Sequence, residues 1–188
     1  MTSPTGGFDP VLAHLADLGV DHEVMACDPN LADTADFCAA YGIDPEDSAN
    51  AILVAGKPRP DEDRPLALCL VLATHRLDVN GAVRKRLGTR KASFAGAEET
   101  ARITGMAIGG VTPFGLPSQL PIWIDAAVME RGRVVVGGGS RDRKLLLPPA
   151  GLLKLPTAEA VDGLARPAPE DACYPPTRLP PAPKSQPD

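Results

Sequence analysis

The sequence predicts a mixed α/β domain of the α+β kind, a curled mixed sheet flanked by helices, and three observations carry that expectation. Helix-period apolar patterns and strand-length apolar runs interleave along the chain without a strict βαβ repeat. Two of the runs, 51–55 and 66–73, are apolar throughout, as in strands covered on both faces. Short polar turns, such as 130–132, separate other strand candidates and demand antiparallel pairing there. At 188 residues the chain has the length of one domain with an extension.

Each element has a local reason. Asp9 can cap a first helix, Pro10 fits its first position, and Val11, Leu12, Leu15 and Leu18 fall on one face before Gly19. A second helix is expected over 34–41, ended by Gly42. The two apolar runs flank KPRPDEDRP at 57–65, an exposed hairpin or loop. Asp78 suits the cap of a helix through Val79, Val83 and Leu87, with Arg84, Lys85, Arg86, Arg90 and Lys91 forming a basic cluster. A strand near 92–95 and a helix over 97–104 follow, then strands at 122–129, 134–137 and 144–147, and a last helix after Thr157. From Arg166 onward 8 of the last 23 residues are proline, so residues 1–166 read as the domain and 167–188 as a proline-rich disordered tail.

Composition narrows the function classes. Apolar residues are 44% and charged residues 23%, the balance of a globular protein rather than a disordered or fibrous one. No apolar run approaches the roughly 20 residues of a membrane span, and the first nine residues have no basic or apolar stretch of a secretory signal, so a cytoplasmic protein is expected. Four separated cysteines, no CxxC pair and three histidines argue against a metal site or a redox dithiol. Charge is uneven: residues 1–73 hold 13 acids and 3 bases, whereas 74–144 hold 12 bases and 6 acids. A basic middle inside an acidic chain suits local contact with a polyanion, and equally an ordinary solvated surface.

Two glycine-rich segments stand out. In ITGMAIGGVTPFGLPSQLP, 103–121, Gly109 and Gly110 precede Pro113, a pattern that permits close approach and fixes a bend, so exposed amides could be aimed at a carbonyl oxygen or phosphate. In VGGGSRDRK, 136–144, a flexible turn carries three cations, as in a loop closing over an anionic ligand or a hairpin with a solvated tip. GxGxxG, P-loop and GxSxG patterns are absent, and His14, His22 and His75 have no evident nucleophile partner.

Five blocks, TADFCAAYGI at 34–43, SANAILVA at 48–55, TGMAIGGVTPFG at 104–115, PIWID at 121–125 and VGGGSRDRKL at 136–145, together resemble the YbaK and ProX family. These are aminoacyl-tRNA editing domains found free-standing or inserted in bacterial prolyl-tRNA synthetases, and the resemblance runs from about residue 8 to 165. It implies a barrel-like mixed sheet of the YbaK/ProRS-associated kind and a hydrolase that removes a wrongly attached amino acid from tRNA, with no metal and no cofactor. Gly109, Gly110, Val111, Thr112 and Pro113 match the family's GxxxP loop, whose backbone amides would orient the ester carbonyl while water attacks. The family's functionally important lysine falls here on Asn50, which would orient the aminoacyl group or the water. Gly138, Gly139, Ser140, Arg141 and Lys144 would bind substrate, the last two at the tRNA end. The implied partner is the acceptor end of a mischarged tRNA, with a synthetase or elongation factor supplying further grip, and neither membrane nor DNA. The same pocket without its lysine also suits a module that holds aminoacyl-tRNA or nucleotide without cleaving it, and the tail suits an interaction role.

Overall fold

The computed structural model describes residues 9–58, 60, 62–117 and 119–169. Helix α1, Pro10–Asp17, starts where the Asp9 carboxylate accepts from the amides of Val11 and Leu12, and it buries Val11 and Leu15. Strand β1, Glu23–Ala26, leads to helix α2, Thr34–Tyr41, which buries Phe37 and Cys38. Strands β2, Ala49–Gly56, and β3, Leu66–Leu72, form an antiparallel hairpin around the charged 57–65 loop, as expected. A short strand β4, His75–Leu77, precedes a wide helical turn, Val79–Val83, that tightens into α3, Arg84–Arg86.

The chain then runs through β5, Ala92–Phe94, and α4, Ala97–Thr104, into the glycine-rich loop. Beyond that loop come β6, Ile122–Asp125, and α5, Ala126–Met129; β7, Val134–Gly137, and β8, Arg143–Leu147; then β9, Ala158–Val161, and β10, Ala165–Pro167.

The strands form a mixed five-stranded sheet in the order β5-β2-β3-β6-β9, an antiparallel three-stranded sheet β1-β8-β7, and the β10-β4 pair. In the large sheet β3 pairs parallel with β6, and β6 parallel with β9. A parallel bridge from Ser48 to Val135 joins the start of β2 to β7, so the two larger sheets meet at one corner without closing into a barrel.

Strand β3 explains why its sequence is apolar without alternation. Leu68, Leu70 and Leu72 enter one core, shared with Leu15, Phe114, Val134 and Leu145. Ala67, Cys69 and Val71 enter a second, shared with Val83, Trp123 and Leu164. Side chains of one strand point alternately to opposite faces, so a strand between two cores must be apolar everywhere. Cys69 lies wholly inside the second core, and burial pushes its thiol up to about 12.

Two expectations are corrected. The apolar stretch 122–129 is half strand and half helix, because Asp125 turns the chain: its carboxylate accepts from the amides of Ala127 and Ala165. Consequently β6 and β7 lie in different sheets and are not an antiparallel pair across 130–132. The helix expected after Thr157 is strand β9, whose residues pair in parallel with β6 from Ile122 to Asp125. At the far end Pro167 belongs to β10 and the Ala168 amide donates to Thr74. Residues 170–188, most of the expected tail, lie outside the described residues. Among the described residues no helix is long and apolar enough to cross a membrane.

Candidate active site

The two glycine-rich segments pack against each other through their backbones. A Cβ on Gly110 would sit 2.6 Å from the Ser140 carbonyl carbon, and one on Gly137 would sit 2.0 Å from the Val111 oxygen. Glycine is needed at both places because main chain touches main chain.

Three consecutive carbonyls of the loop are held by the β7–β8 hairpin. Ile108 O accepts from Arg141 Nη1 at 2.7 Å, Gly109 O from Lys144 Nζ at 2.7 Å, and Gly110 O from the Gly139 amide at 2.7 Å. In a trans peptide the carbonyl and the following N–H point in opposite directions, so the amides of Gly109, Gly110 and Val111 are turned away from the hairpin. The Gly110 amide donates to Ala107 O at 2.9 Å. Among the described residues nothing accepts from the amides of Gly109 and Val111. Gly109 has φ +91°, which makes this alternation possible.

Gly109 and Val111 also line a hollow of about 210 Å³ whose other walls include Thr34, Asn50, Leu53 and Lys144. Strand β2 supplies Asn50, and its side-chain oxygen accepts from the Thr34 hydroxyl at the start of α2. Phe94 and Ile108, 45% and 44% exposed, complete the wall.

Lys144 departs most from its expected place. It is only 7% exposed, its ammonium donates to Ala32 O at 2.6 Å as well as to Gly109 O, and it lies 5.3 Å from the centre of the Phe37 ring. It forms no ion pair among the described residues. Burial is the main influence on its titration and pushes the ammonium below the ordinary lysine value. The Arg141 charge adds to that, while Cys27, Asp33 and Cys38 oppose it. Arg141 is likewise engaged: Nε donates to Pro29 O at 3.0 Å and Nη1 meets the Asp33 carboxylate at 3.2 Å.

Of the residues singled out from sequence, Asn50, Gly109, Val111 and Lys144 thus meet at one hollow. Gly110 and Arg141 stand behind it. Thr112 is fully buried, with no partner for its hydroxyl among the described residues, and Pro113 lines a separate apolar hollow with Leu120. Gly138 O accepts from Arg143, Gly139 faces a different cleft, and the Ser140 hydroxyl bonds Asp142. Sequence reading missed Thr34, Phe94 and Ile108. All three lay in segments already marked, a helix start, a short strand and the glycine-rich stretch, but none carries a chemical signature in sequence.

That different cleft is the larger one, about 850 Å³ and open, lined by Asp9, His14, Met106, Gly115 and Arg143. Two of its polar pairs are internally matched: the Gly115 amide donates to His14 Nδ1 at 3.0 Å, and Asp9 pairs with Arg143 at 2.5 Å. The small hollow, where Asn50 meets Gly109 and Val111, whose amides have no acceptor among the described residues, is the candidate site.

The model of the aminoacyl-tRNA editing domain matches residues 28–155, which span α2, both glycine-rich segments and Asn50. The chain belongs to the aminoacyl-tRNA editing domain family. A proline–tRNA ligase of Bacillus licheniformis is 30% identical over 115 residues, 61% of this chain and 19% of that enzyme, so the chain spans about a fifth of that relative's length. Among solved structures, a candidate trans-editing enzyme for prolyl tRNA synthetase has a TM-score of 0.69 at 25% identity, covering 81% of this chain and 93% of its own. The hypothetical protein APE2540 has a TM-score of 0.73 at 20% identity, covering 84% of this chain and 100% of its own, and shares the fold. The mixed α/β editing-domain fold expected from sequence is the fold found.

Proposed function

We propose that this editing domain acts as a free-standing trans-editing aminoacyl-tRNA deacylase, hydrolysing the ester of a mischarged tRNA by attack of water. One observation carries the reading: Gly109 and Val111, whose amides have no acceptor among the described residues, line a small hollow beside Asn50. The near-complete coverage of the candidate trans-editing enzyme supports the free-standing form.

The ester carbonyl oxygen sits between the two amides, whose fixed donors favour the negative charge that develops as the carbon becomes tetrahedral. Water adds to that carbon. The intermediate then collapses, breaking the bond to the ribose oxygen; the amino acid leaves with its new carboxyl oxygen, and the terminal ribose hydroxyl is regenerated with a proton from the attacking water. Asn50, oriented by Thr34, holds the water or the substrate amine. No side-chain nucleophile is required, because the aminoacyl ester is already a reactive acyl donor and positioning lowers the barrier.

The size of the hollow makes the enzyme a sieve for small acyl groups. Incubation with tRNAs charged with amino acids of graded size tests this. Release of small residues, with aromatic ones retained, is the expected result. Saturable protection of the ester without release would instead establish the binding module, and indifference to both would remove tRNA from the account.

A further inference from the structure

We propose that Lys144 and Arg141 are positioning residues, a two-cation clamp that grips the carbonyls of Ile108 and Gly109 and thereby fixes the loop that carries the amides of Gly109 and Val111. This rests on the proposed deacylase reading for its catalytic consequence, though not for its geometry.

The clamp has two jaws. On the loop side Arg141 holds Ile108 O and Lys144 holds Gly109 O, two successive peptide planes. On the other side Arg141 holds Pro29 O and Asp33, and Lys144 holds Ala32 O, the segment immediately before Thr34. Thr34 in turn bonds Asn50. The same two side chains therefore fix the amide-bearing loop and the approach to the residue that fixes Asn50.

The Phe37 ring covers the Lys144 ammonium, which forms no ion pair among the described residues. An ammonium taken out of water without a carboxylate is costly, and core packing along β8 is already supplied by Leu145 and Leu147. An ammonium 7% exposed and bound to two carbonyls is also poorly placed to grip a tRNA phosphate from solvent. Its three N–H donors suit a bridge between two backbones.

The experiment uses full-length, isotope-labelled protein and Lys144→Met. The expected result is displaced amide resonances for Gly109, Gly110 and Val111 in an otherwise retained spectrum. Deacylation should lose about 100-fold in kcat, the scale of losing one oxyanion donor, with KM within about threefold. Ethylammonium added to Lys144→Ala should restore part of the rate saturably and leave the wild type unaffected. Unmoved loop amides, a kcat within threefold of wild type, or a loss confined to KM would overturn the clamp. Should Lys144→Met fail to fold, Arg141→Met at a half-exposed side chain asks the same question of the Ile108–Gly109 peptide, with the same outcomes deciding. If the wild type cleaves no mischarged tRNA, the deacylase reading falls, while the amide resonances still decide the clamp.

Discussion

Two hollows flank the same glycine-rich loop, and they differ in how its amides are used. In the larger cleft the Gly115 amide is matched by His14 Nδ1, and Asp9 and Arg143 neutralise each other. In the smaller one, among the described residues, the amides of Gly109 and Val111 have no acceptor and Lys144 forms no ion pair. Volume favours the first, whereas the meeting of open amides with Asn50 and Lys144 favours the second. A folded chain ordinarily pairs its buried polar groups, so donors left open beside a cavity mark chemistry better than the size of the cavity does.

The sharpest way to break this contrast is Gly109→Val. The site has φ +91° and a Cβ there would meet Arg141 Nη1 at 2.3 Å, so the substitution should disturb the Ile108–Gly109 peptide beside the hollow. A loss of about 100-fold or more in deacylation is expected. A rate within threefold of wild type in a folded variant would remove the amides from the mechanism. Gly110 is a poorer probe, because its Cβ would strike the Ser140 backbone and displace the hairpin itself.

On the other side, His14→Ala should reverse the pattern. Leaving the Gly115 amide without its acceptor costs about 1–3 kcal/mol of stability, seen as a lower denaturant midpoint, while kcat/KM stays within threefold. A large fall in kcat/KM would bring the larger cleft into the reaction.

The smallest effect expected is that of Asp9→Asn. Hydrogen bonding from Arg143 holds the Asp9 carboxyl below its ordinary value of 3.8, against the upward pull of burial. A depressed value means that the unfolded chain takes up the proton first as pH falls. The contribution is therefore present above about pH 4 and lost through the lower, folded value. Stability curves of wild type and variant should differ by at most about 1 kcal/mol near neutrality, the scale of a partly exposed ion pair, and converge in acid. Parallel curves would show that the pair with Arg143 contributes nothing.

Much of this was legible in advance, for local reasons. Asp9 and Pro10 announce α1, and the unbroken apolar runs announce the two strands of the central hairpin. The errors lie where distant partners decide. Residues 126–129 continue an apolar run and turn helical because Asp125 caps them from within the sheet, and 158–161 become strand through pairing with β6. At the site the glycines could be read from sequence because their spacing is local. The burial of Lys144 could not, since a lysine in a strand beside a basic turn reads as exposed until α2 lays Phe37 over it.

The central strand carries one more consequence. Because Cys69 is enclosed by the second core and ionises only near pH 12, a thiol reagent can reach a reactive form of it only after the sheet comes apart. Its labelling rate in native buffer is thus an internal clock for whole-molecule opening, against which any looser breathing around the small hollow can be timed.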